Sequence, residues 1–167
     1  MPLKRTLAAR IITTLALTAA AFGQTPPAPP PNVPYGVPIT ADAAKKLAAA
    51  AIAEARKNNW AMAVAIVDTG GYLVYFERMP DTQLGSVEVS IEKAKSAALF
   101  RRPTKSFQDT VAAGGEGLRI LRLTGAIPVE GGIPIIVDGK LIGAVGASGG
   151  SSDQDGRTAQ AGVAAMK

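Results

Sequence analysis

The sequence contains no histidine and no cysteine. That excludes disulfides, structural zinc sites of thiolate and imidazole, thiol catalysis, covalent cofactor attachment through C-x-x-C-H, and any Ser-His-Asp triad. Aromatic residues make up 5% of the chain, so it offers few large anchors for a tight heteromeric interface. Charged residues are 19% against 47% hydrophobic, which supplies a core and is too little charge for a disordered chain. Alanine and glycine carry much of the apolar share, which points to close backbone packing. At 167 residues the length suits one domain.

The formal charge of +5 is partly that of a removable segment. Lys4, Arg5 and Arg10 precede the uncharged run Ile11 to Ala21, and Ala21-Phe22-Gly23 ends it with small residues. This is the pattern of a signal peptide over residues 1–23, with cleavage before Gln24. The remaining chain has 15 basic and 13 acidic residues, a net charge of +2 that gives no support for a nucleic-acid partner. No other run is long enough to cross a bilayer. The expected location is periplasmic or secreted. Seven prolines between Gln24 and Pro38 read as a stiff, extended linker, residues 24–38, leading into a domain over 39–167.

Within that domain, Thr40 caps a helix over Ala41–Lys57 that Asn58-Asn59 stops. Ala61 to Val67 is apolar on both faces, as in a central strand. Asp68-Thr69-Gly70-Gly71 turns it into a second strand, Tyr72 to Glu77. Ser86 to Arg102 reads as a helix ended by Pro103, with a short continuation from Thr104 through Val111. Ala113 to Gly117 breaks the chain, and Leu118 to Leu123 reads as a short strand. Gly132 to Val137, Asp138-Gly139 and Lys140 to Gly146 form a clear hairpin. A last helix runs from Ser151 to Met166, with Ser152 and Asp153 as cap candidates. Two hairpins and three helices predict an α+β fold, an antiparallel sheet of four or five strands with helices packed on it, in the order α-β-β-α-α-β-β-α.

The runs Val67-Asp68-Thr69-Gly70-Gly71-Tyr72-Leu73-Val74, Glu77-Arg78-Met79, Lys93-Ala94-Lys95-Ser96-Ala97 and Phe100-Arg101-Arg102-Pro103-Thr104 resemble the GlcG/HbpS-like haem-binding family. So do Glu130-Gly131-Gly132-Ile133-Pro134-Ile135, the stretch Asp138 to Gly146, Ser148-Gly149 and Gln154-Asp155, in the same order. The resemblance spans roughly Tyr35 to Met166. It implies a profilin-like domain that assembles into homo-oligomers and binds haem or a related tetrapyrrole, with slow haem breakdown in some members. Fold carries over within such a family better than activity does.

Lys93, Lys95, Arg101, Arg102 and Lys105 lie within thirteen residues, and Arg78 can join them from the end of the second strand. Such cations bind carboxylates, haem propionates included, by charge-assisted hydrogen bonds. The plainer reading is a solvated helix end. The glycine-rich stretch Gly143 to Ser152 follows a strand and opens a helix, where it serves as a structural turn or presents Ser148 or Ser151 to a ligand; it matches no nucleotide motif. The candidate ligand-binding residues are therefore Arg78, Lys93, Lys95, Arg101, Arg102 and Ser148. An iron ligand would have to be Tyr35, Tyr72, Tyr75, Met62, Met79, Met166, a Lys, a carboxylate or a hydroxyl, and the sequence does not choose among them. Glu116 and Glu130 flank glycines, but nothing marks either as a catalytic group, so no catalytic residue is assigned. Three functions stay open: an extracytoplasmic haem carrier, buffer or scavenger; a pocket protein or enzyme for a small organic acid held by Arg78 and Lys95; and an assembly or sensor-accessory protein.

Overall fold

A computed structural model describes residues 33–166. The expected signal peptide and most of the proline-rich linker lie outside the described residues. Helix α1 (Ala41–Lys57) begins at Thr40, whose side chain accepts a hydrogen bond from the Ala43 amide at 3.3 Å. Ala44, Leu47, Ala48, Ala51, Ile52 and Ala55 form its buried stripe at helical spacing. Strands β1 (Ala63–Val67), β2 (Leu73–Arg78), β3 (Gly132–Val137) and β4 (Lys140–Ser148) make one antiparallel sheet in the order β2-β1-β4-β3. The β3–β4 turn places Asp138 and Gly139 at φ 48° and 72°, the paired positive dihedrals of a tight hairpin.

Both faces of the sheet are covered, so its central strand β1 is buried throughout. Val64, Ile66, Val145 and Ala147 pack towards α1 and α4 (Ser152–Ala164). The alternate residues Ala65, Val67 and Ala144 meet Ala94, Ala97 and Ala98 of α2 (Ser86–Phe100). Gly132 and Gly146 are register partners, and a Cβ at either would collide with the α2 backbone, at Lys93 or at Ser90. Glycine here lets α2 lie with its backbone directly on the sheet. This is the close packing expected from an alanine- and glycine-rich chain.

Several expected boundaries change. The helix expected to reach Arg102 ends at Phe100, and Arg101 turns left-handed at φ 52°, clear of the conformational limit imposed by Pro103. The continuation is a separate helix, α3 (Thr104–Ala112). Leu118 to Leu123 is not a strand: Gly115–Arg122 forms a 3-10 helix with no buried residue. Leu118 and Leu121 recur every three residues, the 3-10 period, and the segment is not part of the four-stranded sheet. The cap of α4 is Ser151, which forms a capping box with Gln154 in place of the expected Ser152 or Asp153. The linker does not remain a free tether to Pro38. Leu141 donates to the Pro34 carbonyl at 2.9 Å, Gly36 donates back to Leu141 at 2.7 Å, and Tyr35 forms a parallel bridge with Leu141.

Candidate functional site

Two surface hollows are formed by described residues. The first is a cavity of about 330 Å³ between the start of α3, the entry to β3 and the first turns of α4. Its backbone rim is fixed from three sides. The Glu130 amide donates to Gln108 Oε1 at 2.8 Å, the Gly132 amide to Thr104 Oγ1 at 2.9 Å, and the Ala147 amide to the Gly131 carbonyl at 2.9 Å. Lys105, Arg157 and Gln160 line it, with Glu130 and Ile133. Lys105 is held by Asp109 at 2.7 Å, both groups being exposed. Glu130 lies against Gly156, where a Cβ would strike its carboxylate. Partial burial raises the Glu130 pKa above the ordinary carboxylate value; Asp153 and Asp109 push the same way, and Lys105 and Lys93 oppose them.

Beneath that rim lies a buried ion pair. Lys93 Nζ donates to Asp155 Oδ2 at 2.7 Å and to the Ala147 carbonyl at 3.2 Å. The pair is almost wholly enclosed, with Lys93 1% and Asp155 3% exposed. Asp155 Oδ1 also accepts the Gly150 amide at 3.0 Å. Burial raises the Asp155 pKa, against the lowering effect of these donors. Gly131, at φ 128°, passes over the pair, and a Cβ there would fall 2.9 Å from Lys93 Nζ and from the Asp155 side chain.

The second hollow is a more open groove of about 420 Å³ where the end of α1 meets the end of β2. Trp60, Met79 and Pro80 give it an apolar lining, and Arg56, Asn59 and Asp81 a polar edge. Arg157 stands between the hollows: it lines the cavity, and its guanidinium lies 5.1 Å from the centre of the Trp60 ring.

The six residues expected to bind ligand do not form one site. Lys93 is inside the protein, neutralised by Asp155, and not on a solvated helix end. Ser148 is buried, with its hydroxyl 3.2 Å from Ser86 Oγ. Arg101 clasps the N-terminal segment: it donates to the Val33 carbonyl at 3.0 Å and lies 5.2 Å from the Tyr35 ring centre. Arg102 stacks 5.5 Å from the Phe107 ring centre and donates to the Phe100 carbonyl at 3.3 Å. Lys95 is exposed beside Gly71 at the β1–β2 turn. Arg78 is exposed at the other end of β2, paired with Ala63. A strand of that length separates the two by ~20 Å at ~3.3 Å per residue, so they do not share a small ligand. Asp155, in the first turn of α4, is the buried partner of Lys93. Of the possible iron donors, Met62 is core and Met79 reaches the groove. Arg157, Gln160, Arg56 and Trp60 carried no sequence signal, because they converge only in three dimensions.

A model of the family described as "Haem degrading protein HbpS-like" matches residues 39–164. The chain belongs to the HbpS-like family. Among HbpS-like relatives, protein GlcG of Escherichia coli (strain K12) is 42% identical over 105 residues, 63% of this chain and 77% of GlcG. A solved PduOC–haem complex is 34% identical with a TM-score of 0.70, covering 77% of this chain and 95% of that one. The crystal structure of HbpS is 27% identical with a TM-score of 0.72, covering 81% and 95%. The expected profilin-like α+β layout is thus the fold of an HbpS-like protein.

Proposed function

We propose that this HbpS-like chain is an extracytoplasmic haem-binding protein that acts as a carrier, buffer or scavenger. The observation that carries the reading is its likeness, across nearly the whole of the other chain, to a domain solved with haem. Haem brings a flat apolar ring, two carboxylates and an iron that accepts thioether donors. The groove fits these three needs. Trp60 and Pro80 supply an apolar face, Arg56 a cation for a carboxylate, and Met79 a sulfur beside the aromatic ring. With no histidine or cysteine in the sequence, Met79 is the donor of a recognised haem-ligating type that lines this groove.

The groove is open, so one chain covers a macrocycle on one side. A second copy against it would close the other, which supports working as a homo-oligomer. Leu118, Leu121, Leu123 and Val129 add further apolar surface at 39–60% exposure. Haemin titration of the chain from Gln24 onward tests the central reading. The expected result is a shifted Soret band that saturates at one haem per chain; a featureless linear rise would contradict it. Location is tested by intact mass: the exported protein is expected to begin at Gln24.

A further inference from the structure

We infer that Arg157 is a positioning residue for the haem groove. From the neighbouring cavity it holds the Trp60 indole as a fixed wall against which the flat ring of the ligand stacks. The inference rests on the haem reading of the groove and adds a residue that does not itself line it.

Trp60 stands where the chain leaves the last turn of α1. The Trp60 amide donates to the Ala55 carbonyl at 2.9 Å and the Asn59 amide to the Arg56 carbonyl at 3.1 Å, with Asn59 left-handed at φ 57°. These are the two bonds of a Schellman ending, and they fix the backbone of Trp60. They do not fix its side-chain rotamer. That restraint comes from α4. The Arg157 guanidinium lies over the Trp60 ring, 5.1 Å from its centre. A planar guanidinium stacks on an aromatic face as an ammonium does not. Arg157 in turn faces Glu54, with Nη2 3.9 Å from Oε1. The same Glu54 oxygen accepts from Asn58 Nδ2 at 2.9 Å, and Asn58 Nδ2 also donates to the Glu54 carbonyl at 2.8 Å. The end of α1 thus turns the carboxylate, the carboxylate turns the guanidinium, and the guanidinium holds the indole.

This ion pair is long and Arg157 is more than half exposed, so the pair adds little stability. Its contribution is direction. Because Glu54 already faces the charge, what Arg157 offers Trp60 is its plane and not a free cation. Position matters in an open groove, since a ligand that ordered the indole on arrival would lose that side chain's entropy from its binding free energy. Arg157 takes up one side of the indole from the cavity and leaves the groove wall clear.

Trp60 is the only tryptophan in the chain, so fluorescence reports this ring alone. The test measures time-resolved Trp60 anisotropy without ligand, and haemin affinity by Soret titration. It compares the chain from Gln24 onward with Arg157→Lys, Arg157→Ala and Glu54→Gln. The lysine variant keeps the charge and loses the plane. Both Arg157 variants are expected to add a fast local decay to the anisotropy. Both are expected to weaken haemin binding by about three- to tenfold, the cost of ordering one side chain. Glu54→Gln keeps an acceptor for Asn58 and drops the charge, and is expected to move both readouts the same way by less. Arg157 is exposed, so the Tm is expected to hold; if the alanine variant loses its fold, the lysine variant decides. Unchanged anisotropy would overturn the proposal, as would a looser ring with unchanged haemin affinity. Full affinity in the lysine variant beside a loss in the alanine variant would also overturn it, because Arg157 would then act as a charge alone. Failure of the unaltered chain to bind haemin would instead overturn the haem reading, and the ligand-free anisotropy would still decide whether Arg157 holds the ring.

Discussion

The cavity and the groove lie on either side of Arg157, and they are built by opposite means. The cavity is lined by charge over glycine. Its backbone is tied by side-chain hydrogen bonds, and its floor is a buried ion pair. The groove is lined by an indole, a thioether and a proline at the ends of two elements. A cavity whose backbone is tied on three sides is already shaped for a small ligand. An open groove with an indole, a thioether and a polar edge accepts a broad flat ligand and leaves one side for another chain to cover. One fold thus carries two unlike hollows, with the Arg157 side chain lining one and stacking on the Trp60 of the other.

The sharpest way to break this contrast is to remove the pair under the cavity. Lys93→Ala strands Asp155 in the interior, so a loss of about 3–5 kcal/mol is expected in denaturant unfolding. Replacing both partners by apolar residues of similar size is expected to cost much less. Equal costs for the single and double changes would mean that the pair is not closed as described. Gly132→Ala comes next, because its Cβ meets the α2 backbone; overpacking of this kind costs about 1–3 kcal/mol and should lower the Tm. Ser151→Ala removes the cap of α4 beside the cavity, with an expected loss of about 1 kcal/mol.

The smallest effect concerns pH. Burial raises the Glu130 pKa in the folded state, so the folded chain holds that proton more tightly than the unfolded chain does. Its contribution to stability therefore falls as pH rises from the ordinary carboxylate value through the raised one. Glu130→Gln is expected to flatten the pH profile of Tm within that window. An unchanged slope would place the titration elsewhere.

The sequence revealed much of the fold because its signals were local. The stripe of α1, the doubly apolar β1 and the Asp138-Gly139 turn each depend on residues a few positions apart. The errors also have local causes. Leu118 and Leu121 are apolar enough to suggest a strand, but they lie in a 3-10 helix outside the sheet that buries none of its residues. The site was far less legible. Lys93 and Lys95 are two residues apart on one helix, yet one faces Asp155 in the interior and the other faces solvent. The partner that buries Lys93 lies 62 residues away, and no spacing rule reaches it. Arg101 and Arg102 carry the charges of a binding cluster and spend them on the Val33 carbonyl and the Phe107 ring.

The most direct measurement is a haemin titration of two variants beside the unaltered chain. One variant changes the groove, Trp60→Ala with Met79→Ala; the other changes the cavity, Lys105→Ala with Gln160→Ala. The groove variant is expected to lose at least tenfold in haem affinity, about 1.4 kcal/mol, while the cavity variant binds as before. Full affinity in the groove variant, or a matching loss in the cavity variant, would contradict the division of the surface into a haem groove and a separate cavity.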